Sequence, residues 1–253
     1  MNRNEPLQTG TLLLEIGALL MTSGANTNRV RVTIKRIAES YGYTADYLIT
    51  HRAIMLTLSS EEQQEFNQIK QTYGFVPNFK VVSGISRLSW EIANEQVSLE
   101  EAAKEVERLK QLPHYSRWVI LAVVGLACSS FCRLAGGSFF EMAIVFIASF
   151  TGLFCKQELG KRQVNAYVGV FMAAFVTTLV TGGVAKFFNY EHENIAFITA
   201  ILYLIPGIPF INSTSDILDG NSLNGVVRAV NGFAISFAIA SGLIFALLIY
   251  NLV

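Results

Sequence analysis

The segment I-P-G-I-P-F-I-N-S-T-S-D-I-L-D-G-N-S-L-N-G-V-V-R, residues 205–228, decides how this chain is read. An apolar run that could cross a bilayer breaks at Pro206, Gly207 and Pro209 and passes directly into Asn212, Ser213, Thr214, Ser215, Asp216 and Asp219. Interrupted backbone and polar side chains are costly in lipid, so they persist where they line a cavity or where a span is ending.

Upstream and downstream of this break the chain is strongly apolar. Hydrophobic residues make up 52% of the 253 and charged residues only 15%, with a mean hydropathy of +0.42, outside the usual soluble mixture. The charges are unevenly spread: residues 1–117 carry 13 Lys/Arg and 13 Asp/Glu, whereas residues 118–253 carry 6 of each. Five apolar segments follow one another at 118–135, 139–155, 164–188, 195–211 and 226–253, each credible as a helical crossing. The expected fold class is therefore an α-helical integral membrane protein with about five transmembrane helices and an N-terminal cytoplasmic α+β domain. The expected domains are residues 1–115 and 116–253.

In the first part, residues 12–21 are apolar except for Glu15 and too short to span, which predicts a buried helix. The cluster Thr22, Ser23, Gly24, Ala25, Asn26, Thr27, Asn28 favours turns and caps, and separates this helix from a second one. There Val30, Ile34, Ile37, Ala38 and Tyr41 form a stripe away from Arg29, Arg31, Lys35 and Arg36. Free N–H groups at such a helix start, with basic residues behind them, can bind an anion; a capped helix with a solvated basic face is the alternative. Residues 43–50 and 53–59 read as strands, residues 75–82 as a third with Pro77 at its edge, and two further helices follow. Ser98 and Glu101 form a capping box at the start of the second of these.

Positive residues place the ends of the spans. Arg108, Lys110 and Arg117 precede the first span, Lys156, Lys161 and Arg162 separate the second from the third, and Glu191 and Glu193 separate the third from the fourth. The positive-inside rule then puts the N-terminus in the cytoplasm and the C-terminus outside; the N-terminus also lacks the pattern of a signal peptide. Arg133, Glu141 and Lys186 fall at outer span ends. Zero net charge gives no reason to expect nucleic acid. Cys128, Cys132 and Cys155 lie in apolar runs and read as small buried residues. His51, His114 and His192 have no metal-ligand companions at a recognisable spacing, and no P-loop, dinucleotide motif or nucleophile elbow is present. No cofactor, metal or catalytic residue is expected.

The chemistry left is that of the opening segment. Asp216 and Asp219, three residues apart, could share a helical face. Ser213, Thr214 and Ser215 offer donors and acceptors to a small polar solute, and Arg228 could pair with Asp216 or meet a substrate carboxylate. An ordinary cytoplasmic loop with a positive-inside arginine is the alternative reading of these residues.

Three stretches, G-A-L-L-M-T-S-G-A-N-T-N-R-V at 17–30, S-G-I-S-R-L at 83–88 and P-G-I-P-F-I-N-S-T-S-D-I-L-D-G at 206–220, resemble the threonine/serine exporter family, in its half-size form. The resemblance covers nearly the whole chain. It implies secondary export of a threonine/serine-type amino acid, or of a short dicarboxylate such as succinate, across the bacterial plasma membrane. It also implies a separately encoded second membrane subunit, because full-length members look like a fusion of this half with another; a homo-oligomer is left open. The expected substrate-binding residues are Pro206, Gly207, Pro209, Asn212, Ser213, Asp216, Asp219 and Arg228. Ser23, Asn26 and Arg29 are expected at the entry or gate. The competing expectation is a membrane-anchored regulatory or assembly subunit with no transport pathway of its own.

Overall fold

A computed structural model describes residues 5–60, 63–72, 74–95, 97–112, 115–188 and 193–250. The chain groups into two compact units: residues 1–113 with 208–229, and residues 114–207 with 230–253. The second segment of the first unit comes from the stretch that the sequence reading gave to the membrane part.

The first unit contains α1 (Glu5–Thr22), α2 (Thr27–Ser40), β1 (Thr44–Thr50), β2 (Ala53–Ser60), β3 (Gln63–Gln71), α3 (Phe79–Glu95) and α4 (Leu99–Lys110). The three strands form one antiparallel sheet in the order β1-β2-β3. In β2 the period-2 alternation works as sequence physics requires: Ile54, Leu56 and Leu58 are fully buried while Met55 faces outward. Their partner is α1, whose Leu13, Ile16 and Leu20 are also fully buried and which packs against β2, β3, α2, α3 and α4. A helix contacted on that many sides must be apolar nearly all round. This explains why so short an apolar run lacks an evident polar face.

The third strand is a correction. Residues 75–82 do not form it: β3 runs over Gln63–Gln71, and α3 begins at Phe79. Polar Gln63, Gln64, Asn67 and Gln68 concealed the strand; among its described side chains, Phe66 is the one that joins the core. Cross-strand pairing with β2, such as Leu58 with Phe66, outweighs weak propensity. Asn78 has its backbone carbonyl bonded by Val82 N–H at the start of α3, so Pro77 precedes a helix rather than edging a strand. The capping box at Ser98 and Glu101 forms as expected.

The second unit contains α5 (Arg117–Leu134), α6 (Phe139–Lys161), α7 (Ala166–Phe188), α8 (Glu193–Ala200), a 3-10 turn at Leu202–Leu204 and most of α10, which runs Ser222–Tyr250. Between the turn and α10 comes α9 (Gly207–Leu218). Among the described residues, four helices are long and apolar enough to cross a membrane, or five if the bent pair Asn194–Leu204 and Gly207–Leu218 is one span. That pair is bent by 61°, so the expected fourth span at 195–211 is not a continuous helix. Pro206 has no N–H to donate and its ring obstructs the preceding turn, which accounts for the break; Pro209 is tolerated because it falls in the first turn of α9, where N–H groups lack helical partners anyway.

Small residues let these helices approach one another. Cys128, Cys132, Ala148, Ala196 and Ala200 form one buried cluster, and Ala173, Ala174 and Ala238 belong to another. Such contacts replace the hydrophobic driving force that lipid removes. Leu134, Phe139, Phe233 and Phe237 are each at least 66% exposed, an apolar surface suited to lipid rather than to water.

Candidate functional site

The turn after α1 sets the geometry. Ala25 N–H donates to Leu20 O and Gly24 N–H to Met21 O, with Gly24 at φ 99°: a Schellman stop that needs a left-handed residue, which glycine supplies without a Cβ clash. The chain then starts α2, with the Asn26 side chain accepting from Arg29 N–H. This cap leaves Thr27 N–H at the helix start, where the helix dipole favours negative charge.

That charge is Asp216. Thr27 N–H donates to Asp216 Oδ1 at 2.8 Å and the Thr27 hydroxyl to Oδ2 at 3.0 Å. Arg228 Nε lies 3.1 Å from Oδ2. Both terminal guanidinium nitrogens donate to Ala25 O, at 3.3 and 3.2 Å. Asn224 Nδ2 donates to the Thr27 hydroxyl oxygen at 3.2 Å and to Ile49 O at 2.9 Å. Asp216 is fully buried and Arg228 only 8% exposed. An ion pair so deeply buried persists only because further hydrogen bonds hold both partners.

Two more contacts hold α9 in this cluster: Asn212 Nδ2 donates to Gly24 O at 2.9 Å, and Ser213 Oγ to Gly225 O at 2.7 Å. Gly225 is where α9 and α10 cross. A Cβ there would lie 2.8 Å from Ser213 O and 3.1 Å from Ile217 N. His51, in the β1–β2 turn, lies within electrostatic reach of Arg228; burial pushes its imidazole below its ordinary pKa, and the charges of Arg228 and Arg52 push the same way.

The structure therefore brings together Asn212, Ser213, Asp216 and Arg228, and beside them Ser23 and Asn26 of the turn. Residues 207–218 are a helix, not the loop that the sequence also allowed. Asp219 is exposed and does not share the buried face of Asp216. Arg29 is exposed, contributing its backbone N–H to the cap rather than its guanidinium to the cluster. Pro206 belongs to the second unit, where with Ile201, Ile205, Ser236, Ile239 and Leu243 it lines an apolar cavity of about 500 Å³. Gly207 and Pro209 form the first turn of α9.

Sequence reasoning missed Thr27, Asn224 and His51 as members. Thr27 was legible in part, since the start of a basic helix had been marked as an anion site; Asn224 and His51 carried no local signal. In the second unit Glu141 is buried as the N3 member of a capping box with Ser138. Its hydroxyls bond mainly to helix carbonyls, as Ser129 does to Met142 O, while Thr177 also meets Tyr203 OH at 3.0 Å. Among the described residues no group of His, Cys, Asp and Glu could hold a metal ion.

A family model described as "Putative threonine/serine exporter" (ThrE) matches residues 11–250. The chain belongs to this family. Its members are transporters, not enzymes, and the chain is a multi-pass membrane protein of a bacterial transporter family. It is 25% identical to the "Probable succinate transporter subunit YjjP" of Escherichia coli K12, over 95% of this chain and 94% of that one. To the "Threonine/serine exporter" of Corynebacterium glutamicum it is 24% identical, over 91% of this chain but 49% of the relative. A "Probable threonine/serine exporter" of Mycobacterium tuberculosis is 20% identical, over 93% and 45% respectively. The chain thus spans about half the length of these two exporters. No solved structure matches it significantly.

Proposed function

We propose that this protein is one subunit of a two-component secondary carrier that exports a small carboxylate-bearing metabolite across the bacterial plasma membrane. The substrate is a threonine/serine-type amino acid or a short dicarboxylate such as succinate. The observation that carries this reading is the buried Asp216–Arg228 pair at the N-terminus of α2. A guanidinium, a helix N-terminal N–H and a hydroxyl converge there on a carboxylate, which is the chemistry that recognises such solutes. Membership of an exporter family and the name of the Escherichia coli relative, a transporter subunit, support the partnership. The match to about half of the Corynebacterium glutamicum exporter supports it too.

In this reading residues 1–115 form the cytoplasmic domain and the spans follow the positive-inside order, with the C-terminus outside. Substrate loads from the cytoplasm beside Asp216. Asn212, Ser213 and Arg228 contribute contacts; Ser23 and Asn26 shape the turn that gates them. Proteoliposomes loaded with labelled succinate or threonine test this. Efflux should need both this chain and the second family component, and Asp216→Asn should abolish it while the protein still inserts. Unchanged efflux removes the role given to Asp216. The cluster lies wholly within the first compact unit, which also suits a regulatory subunit binding a carboxylate; that reading expects efflux to persist without this chain.

A further inference from the structure

We infer that Asp216 is a tethered stand-in for the substrate's carboxylate. The cradle at the start of α2 is a carboxylate-binding site that the chain fills itself, and a free carboxylate loads by taking the place of Asp216. The inference deepens the carrier reading and rests on it for the identity of the solute, but its geometry is independent.

Every donor around Asp216 is one that a solute carboxylate would use. Thr27 N–H is fixed by the Asn26 cap, the Thr27 hydroxyl is held by Asn224, and the Arg228 guanidinium is anchored through its two terminal nitrogens to Ala25 O. None of these anchors involves Asp216, so the cradle stays assembled when the carboxylate leaves. The occupant is also imperfect. Arg228 is more than nine-tenths buried, and its Nε sits 3.1 Å from Asp216 Oδ2, yet that nitrogen makes no aligned hydrogen bond. A guanidinium edge aimed at a carboxylate without completing the bond leaves binding energy that a freely oriented carboxylate could use.

The tether explains the release step. Asp216 sits on α9, which is entered through the break at Pro206 and ended by Gly220 at φ 80°. A competitor held on such a short element acts at an effective concentration on the order of millimolar. Free solute then displaces it only when it accumulates to a similar level, and the returning Asp216 expels the solute afterwards. An exporter built this way relieves overflow without draining the cell at low solute. No covalent chemistry is involved.

Equilibrium binding to the purified full-length chain in detergent tests the exchange directly, with succinate and threonine as probes and dimethyl succinate as the uncharged control. Wild type should bind the carboxylates at millimolar levels. Asp216→Ala and Asp216→Asn should bind them at least tenfold more tightly, and Asp216→Ala/Arg228→Gln should lose that gain. The ester should bind none of them. Which probe responds assigns the solute. A second measurement needs no variant. In wild type, saturating carboxylate should speed hydrogen exchange in residues 207–218 while residues 27–31 stay protected, and the ester should not. Unchanged affinity in folded Asp216 variants, or unaltered exchange in α9 under carboxylate, overturns the inference. Absent efflux in the reconstituted pair together with tightened binding would remove the carrier reading and leave the exchange standing.

Discussion

Asp216 and Arg228 show why single residues here are worth more than their contacts suggest. Each alone would be an uncompensated buried charge; together they neutralise each other and are bonded from Thr27 and to Ala25. Removing one partner strands the other, a penalty of about 3–5 kcal/mol, whereas replacing both by neutral groups costs much less. Arg228→Ala and Asp216→Ala should therefore each lower the thermal midpoint in detergent strongly. Asp216→Asn/Arg228→Gln should recover most of that loss, and a simple sum of the single effects would contradict the pairing.

His51 adds a pH dependence of known sign. Burial first, then Arg228 and Arg52, hold its pKa below the ordinary 6.5. Well above pH 6.5 it is neutral in both folded and unfolded chains and contributes no slope. As pH falls below that value the unfolded chain takes up the proton first, so stability declines until the lower folded-state value is reached. Thermal unfolding from pH 7.5 to 5 should show this fall, and His51→Gln should flatten it. An unchanged slope would mean that other groups carry it.

Between elements, the crossing of α9 and α10 depends on the absence of a side chain at Gly225. The atoms that an added methyl would meet include backbone, Ser213 O and Ile217 N, which cannot swing aside as a flexible side chain would. Gly225→Ala should cost about 1–3 kcal/mol by overpacking and should weaken the Ser213 hydroxyl bond to Gly225 O. Chemical denaturation in detergent measures the first effect, and proteoliposome efflux measures its consequence at Asp216. Elements also explain where periodicity misled. β3 hides its role because most of its residues are polar and, among its described side chains, Phe66 alone joins the core. The apolar stretch 75–82 looked like a strand by composition but supplies Val81 and Val82 to a buried helix face.

For the whole molecule, the proposed orientation follows from the positions of Arg117, Lys156, Lys161 and Arg162. Alkaline phosphatase, active only outside the cytoplasm, should be inactive when fused after Arg162 and active when fused after Val253. The reverse pattern would invert the loading side proposed for Asp216.

Composition and hydropathy alone determined that a charged N-terminal part precedes several apolar helices, because burial in lipid or in a core leaves a mark on every residue of a segment. They also located the break at Pro206, since proline's missing N–H acts wherever it stands, and quoted motifs carried the family. Only the tertiary structure decided that residues 208–229 pack with residues 1–113, that Asp219 stays outside while Asp216 goes in, that Thr27 and Asn224 are bonded into the network of the pair, and that the charge of Arg228 reaches His51. Thr27 and Asp216 are 189 residues apart. A hydrogen bond between them has no local signature, because its partner is supplied by a distant turn whose own residues needed only to cap a helix.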